Sequence, residues 1–597
     1  MSVSKPKDDL NSVERVGLLT DVHLEPMHQN GKMKDVEDRE ELNDQNATIG
    51  PRGWKFWAVF MSVVFTQMLM TLGSNITSTA LPTIIDDIGT SDQFVWIINA
   101  FSLSSTIIQP PIGQIADIFG RKIPTIISVL NFSLGSAICG ISTNLTLMVI
   151  GRAVQGLGAG GIFVLADLIT SDLVPLRERP KFLGLLLAGS AVSLIAGPFL
   201  GGIITQYLSW RWIFFLNVPI GGFIIVLLWL FLNLKHQQHR TWKHAIKEID
   251  FLGTIVFSAA AIAMMLALAS SDGFWTSKAY TLSFVLGCLG LILFGVLQNS
   301  RFCPSPIMPL RLFNLASSLV FMITFLSSTI LMLVPYFLAI YFQAVLQDSP
   351  TEAGVDLLAT VVVLLPAAMV IGGLVSKTGH YRIAHISSFA LTAISMAGFM
   401  LTDDHTATMN WIVLSVLGAI GMGALIPTAL PAAQAPLPDS DAAAVTAAFS
   451  FFRSFGLLWG FSIPAFMFNA EVENAITVVQ DEHIAGMLLN GGAFGNARSE
   501  FIAGLSEPAR TQVIEVFIRS LRVVWKGAFA ISLFGLALAF LETEKKLRTT
   551  LETEFQIDDS PWKNSTRPVD SEIALTRSPS QETIISEYKD SDSPSTS

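Results

Sequence analysis

"LMVIGRAVQGLGAGGIFVLADLITSDLVPLRER", residues 147–179, decides the fold. It is an apolar run long enough to cross a bilayer, which takes about 20 helical residues, and it ends in a cluster of arginines. Its charges are few: Arg152 near one end, Asp167 and Asp172 near the other. A charge at that depth is costly and turns toward a cavity or a partner. The small residues Gly156, Gly158, Ala159, Gly160 and Gly161 let a neighbouring helix come close, and plain packing accounts for them.

The rest of the chain repeats this pattern. Of 597 residues 51% are hydrophobic and 14% charged. Soluble domains carry roughly 25% charged residues, so the chain reads as an all-α polytopic membrane protein. Spanning segments are expected at 55–75, 94–114, 123–142, 147–170, 181–204, 212–234, 252–270, 280–298, 317–342, 355–375, 384–402, 411–433, 444–468 and 523–543, fourteen in all. The polar patch "GSNITST" makes the end of the first the least secure boundary.

Lys and Arg concentrate in alternate loops: "GRK" (120–122), "PLRERPK" (175–181), "KHQQHRTWKHAIKE" (235–248), "SRFCPSPIMPLR" (300–311) and "SKTGHYR" (376–382). The intervening short loops are neutral or acidic, which places both termini in the cytosol. The long outer loop 469–522 also carries basic residues, but long loops are poor witnesses for charge bias.

Residues 1–53 and 544–597 read as disordered cytosolic tails and supply most of the net charge of -10. No cleavable signal opens the chain, so the first span is the expected targeting element. Cys139 and Cys288 fall in spans and Cys303 in a cytosolic loop, and no disulfide is expected. No metal-spaced His/Cys set, nucleotide loop or nucleophile motif is present, which argues against an enzyme, a cofactor or a nucleic-acid partner.

"GQIADIFGRK" (113–122) and "GGLVSKTGHYR" (372–382) echo one another, as two parallel six-helix repeats would. Gly113 and Gly120 permit close approach and a tight turn, while Arg121 and Lys122 hold the loop inside. Asp117 should find a partner, such as the helix start near residue 439 in the other half.

At about 100° per residue, Arg152 and Asp167 lie about 60° apart, whereas Asp172 lies about 140° from Asp167. The two aspartates therefore face different neighbours. Asp167 shares the broad face of Arg152 and Gln155 and lines the central cavity if that face does. Asp172 sits at the membrane edge, with Arg121 as candidate partner. Arg152 either faces a cavity or partner, or snorkels to the outer surface. Arg453, in "FSFFRSFG", either binds an anionic group or pairs across the cavity. In "SLIAGPFLGG" (193–202), Gly197, Pro198, Gly201 and Gly202 describe a slim helix bent at its proline.

Taken together these motifs resemble the major facilitator superfamily and, within it, the fourteen-spanning drug:proton antiporters of the fungal multidrug and secondary-metabolite efflux branch. The resemblance runs from about Trp54 to Asp559 and includes the branch-like stretches "SWRWIFFLNVPIG", "YFQAVL" and "LETEFQIDD". It implies a major facilitator fold: one six-helix bundle over 54–234, a linker with two extra helices over 235–311, and a second bundle over 312–543. It further implies proton-driven export of hydrophobic or amphipathic small molecules by alternating access, from a monomer in the plasma membrane. Carried over, Gly113, Asp117, Gly120, Arg121, Lys122 and Asp172 form a cytosolic latch, Asp167 and Arg152 serve proton coupling, and Gln155 and Arg453 are cavity candidates. The "GPFLGG" bend marks an exporter. Relatives commonly carry an acid where "LGSNITSTALP" has Gly73, which leaves Asp167 as the main protonatable group of the first half. Alternatives are a vacuolar transporter of basic amino acids, suggested by "ERVGLL" (14–19), and a transport-inactive membrane sensor.

Overall fold

The computed structural model describes residues 53–88, 95–234, 248–268, 277–301, 303–489 and 491–550. "ERVGLL", most of the loop 235–248 and "LETEFQIDD" lie outside the described residues. Those described are helical, with no β-strand among them.

Helix α1 (Trp54–Ile88) does not stop at the polar patch. Thr71, Ser74, Asn75 and Thr77 donate to carbonyls three or four residues back, so their polar groups are satisfied within the helix. The second expected span is broken instead, into α2 (Val95–Ile107) and α3 (Gln109–Phe119), where Pro110 and Pro111 occupy the first turn of a new helix. Then come α4 (Lys122–Gly140), α5 (Leu145–Leu173), α6 (Arg179–Tyr207), α7 (Arg211–Phe215) and α8 (Asn217–Phe231). Asn144 caps α5 by accepting from Leu147 N at 2.8 Å, as an N-cap side chain does.

Helices α9 (Phe251–Leu268) and α10 (Lys278–Gln298) pack on each other, and Phe257 of α9 reaches Phe451 at 4.9 Å. The second half comprises α11 (Leu315–Ile340), α12 (Pro350–Thr378), α13 (Tyr381–Phe399), α14 (Thr408–Gln434), α15 (Ala442–Ala475), the short α16 (Glu482–Leu488), α17 (Gly492–Gly495) and α18 (Ser499–Ala503), and α19 (Ala509–Leu541). The expected loop 469–522 is therefore shorter and partly helical. The amphipathic residues 509–522 extend the last helix, a feature that a search for apolar runs passes over.

Among the described residues ten helices are long and apolar enough to cross a membrane, and Trp96–Ile107 and Phe251–Ala267 are shorter apolar helices. Helices α6 and α13 cover the fifth and eleventh expected spans. The outer surface is apolar: Phe223, Trp229, Ile292, Val296, Val370 and Ile383 are each more than half exposed, as on a face solvated by lipid. Gly120 and Gly379 close the two echoing hairpins with φ of 80° and 82°. A side chain would be strained there.

Candidate functional site

Helix α5 is enclosed on several sides. A methyl added at Gly158 would lie 2.3 Å from Phe132 N of α4, and one at Gly160 would lie 2.1 Å from Ser105 O of α2. The glycine stripe is thus a packing surface on two opposite flanks. This enclosure also turns Arg152 inward. Its Nε donates to Ile97 O (3.0 Å), its guanidinium to Gln155 Oε1 (2.6 Å), and it lies 4.3 Å from the Phe101 ring centre. Gln155 passes the network on to Ser136 Oγ at 2.7 Å. Arg152 neither snorkels nor meets Asp167, and Gln155 is not among the residues lining the central pocket. Although the wheel puts Arg152, Gln155 and Asp167 on one broad face, about 60° suffices to send Arg152 and Asp167 to different neighbours.

Asp167 faces the second half. Its Oδ2 accepts from Arg453 at 2.9 Å. That guanidinium stacks 3.7 Å from the Phe163 ring centre, close enough for a cation–π attraction. Both charges line a small pocket that is partly open to solvent. Phe163, Leu183, Leu186, Leu187, Ile426, Leu430 and Phe449 supply the apolar walls, and Gln67 and Ser190 the remaining polar ones. Gln67 had no motif to mark it. Its Oε1 and the Nε of Arg453 are buried without a hydrogen-bond partner.

At the end carrying the basic loops, Arg121 is 3% exposed, bonded to Asp172 through Nε and to Asp117 through a terminal nitrogen, both at 2.8 Å. Lys122 donates to Trp229 O and Asn233 Oδ1. Gly113 meets the other half, since a methyl there would lie 2.5 Å from Ala447 Cβ of α15. Gly197 runs close to Asn75 of α1, whereas a methyl at Gly202 would have nothing within 4 Å. The backbone of α6 stays helical through Pro198 and Gly201. Gly73 is pressed against Phe132, where a methyl would lie 2.7 Å from the ring, so the place of the missing acid is filled by aromatic packing.

Several cross-links carry no sequence motif. Arg179 donates to Gln434 Oε1 (2.7 Å), and Gln434 donates to Thr446 (3.0 Å) and Ser171 (3.4 Å). Arg177 donates to the carbonyls of Ser376 and Lys377, and Gln109 to Ser454 Oγ. Gln114 joins the first half to the linker through Ser305 O and Glu248 O. Residues 542–550 lie on this same face, contrary to the tail expected from 544: Glu542 accepts at His385 (2.8 Å), Leu547 is buried, and Arg548 bonds Leu437 O and Asp439. At the opposite end Arg211 and then Trp210 hydrogen-bond Asp87 and hold its carboxyl below the ordinary carboxylate range.

The fold agrees with the comparisons to known proteins. The Major Facilitator Superfamily profile matches residues 63–461. The MFS efflux transporter aclA of Aspergillus oryzae is 40% identical over 87% of this chain and 95% of its own length. The efflux pump FUS6 of Gibberella fujikuroi is 38% identical over 86% and 94%. Among solved structures, the proton:xylose symporter XylE superposes with a TM-score of 0.52 at 12% identity, over 83% of this chain and 98% of that one, a likeness of fold alone. The chain belongs to the Major Facilitator Superfamily, whose members are transporters rather than enzymes, and it stands among that family's fungal efflux transporters.

Proposed function

We propose that the protein exports hydrophobic or amphipathic small molecules, such as secondary metabolites or toxins, in exchange for protons. The observation that carries the coupling is the Asp167–Arg453 pair, one charge from each half, meeting in a pocket with apolar walls. A proton on Asp167 removes its charge, and Arg453 then loses its partner across the halves. Loss of one member of a buried pair shifts a balance between states by about 3–5 kcal/mol, enough to change which side is open.

In this reading fourteen helices cross the plasma membrane, both termini are cytosolic, and the monomer is the working unit. The end joined by Arg179, Gln434, Arg177 and Gln109 is then the closed cytosolic side. Arg121 with Asp117 and Asp172 braces that side, while Arg152 and Gln155 stiffen the first half without touching cargo.

The test is accumulation of a neutral fluorescent dye in cells stripped of their own pumps. Expression should lower accumulation, and a protonophore should restore it. Asp167→Asn should abolish the protonophore-sensitive part at unchanged surface expression. Full proton-driven efflux by that variant refutes the coupling.

A further inference from the structure

Resting on this transport reading, we infer that the pocket selects uncharged cargo bearing a hydrogen-bond donor and a hydrogen-bond acceptor on an apolar body. The pocket's two charges satisfy one another at 2.9 Å. An organic cation must take Asp167 from Arg453, and an organic anion must take Arg453 from Asp167. Either exchange leaves a buried charge without its counter-ion, which is the costly way to break such a pair. A neutral molecule avoids the exchange and can leave the pair intact.

Two polar atoms are free to read it. Gln67 is 7% exposed and lines the pocket, and its Oε1 is buried without a partner; a small turn of the carboxamide lets it accept from a cargo hydroxyl or amide N–H. Arg453 spends a terminal nitrogen on Asp167 and keeps an unpartnered Nε, which donates to a carbonyl. A buried polar group left unmade is expensive, so a cargo that supplies the missing partner gains more than one that only fills space. The remaining walls are aliphatic and aromatic and bind the body with little regard to detail.

The probe is 6-propionyl-2-hydroxynaphthalene, an environment-sensitive fluorophore with one ketone and one hydroxyl, titrated onto the full-length protein in nanodiscs against empty nanodiscs. Its 2-methoxy ether removes the donor. Analogues carrying a sulfonate or a trimethylammonium in place of the propionyl group add fixed charge. The hydroxyketone should bind about tenfold more tightly than its methyl ether and at least about tenfold more tightly than either charged analogue. Gln67→Leu should erase the difference between hydroxyl and ether. The comparison of probes on the wild-type protein needs no variant to fold. Equal or tighter binding of a charged analogue overturns the inference, as does a Gln67→Leu protein that still prefers the hydroxyl. If a charged analogue binds best and is pumped from cells, export stands and this selectivity falls. If the hydroxyketone binds as stated and is not pumped, the selectivity stands and export falls.

Discussion

Arg121 holds two carboxylates at the same 2.8 Å, and their surroundings make them unequal. Asp172 is 6% exposed and Asp117 39%, on a guanidinium that is itself 3% exposed. Asp172→Ala deprives a buried cation of its buried carboxylate, while the half-solvated Asp117 four residues away stays. Breaking a buried pair from one side costs about 3–5 kcal/mol, and the surviving Asp117 keeps the loss near the lower figure. Asp117→Ala removes an i, i+4 partner in contact with water, worth about 0.3–0.5 kcal/mol. A double-mutant cycle with Arg121→Ala separates the pairs: coupling to Asp172 should be about 3 kcal/mol, and coupling to Asp117 below about 1 kcal/mol. Reversible unfolding in mixed micelles is the assay, with each variant's surface expression as control. A coupling to Asp117 equal to or larger than that to Asp172 refutes the reasoning, because burial would then not decide which carboxylate carries the contact.

Gly158→Ala should destabilise by about 1–3 kcal/mol or block folding, since its methyl meets backbone of α4. Gly202→Ala, facing open space, should be neutral or stabilise by up to about 1 kcal/mol, and a thermal-stability comparison of the two decides this. Arg548→Ala removes charge-assisted bonds to Leu437 O and Asp439, each worth about 1.5–3 kcal/mol. A cysteine placed at Ser171 should then react with a membrane-permeant maleimide about tenfold faster, and an unchanged rate would show that residues 542–550 do not brace this face.

What the sequence made legible is what hydropathy sums over many residues. Among the described residues the expected spans fall largely in helix because about 20 apolar side chains outvote most local exceptions. Exceptions arise where one residue type acts alone: two adjacent prolines split the second span, and side-chain bonds to carbonyls carry α1 past its polar patch. The Arg121–Asp172 contact was legible because both residues sit at one membrane edge and their motifs name them. The fate of Arg152 was not. A wheel gives direction from one axis, whereas α5 has neighbours on several flanks, and a long side chain goes to whichever offers acceptors. Gln67 and Gln434 were missed because a lone carboxamide in an apolar run has no spacing to recognise. The usable signal was its polarity at membrane depth.

The hydrogen bonds between the halves also bear on where a proton can act. Arg179 with Gln434, Gln434 with Ser171, Arg177 with two carbonyls, and Gln109 with Ser454 involve amides, hydroxyls, carbonyls and guanidinium groups. None of these changes charge in the physiological pH range. Asp167 with Arg453 is different in kind, because one partner is a carboxylate. Of the contacts named, a proton can weaken this one and leave the others intact. A proton arriving at the pocket would therefore first loosen the middle of the interface while the basic end stays bonded. Opening that end then needs a second event: separation of the non-titrating contacts around Gln434 and of the Arg548 segment, to which Arg177 N is bonded at 3.0 Å. On this account Asp167 sets whether the proton is felt, and the basic end sets how readily the protein turns inward. Variants at Gln434 should thus change the rate of transport while leaving its dependence on pH in place, whereas Asp167→Asn should remove the proton-driven part and with it the dependence on pH.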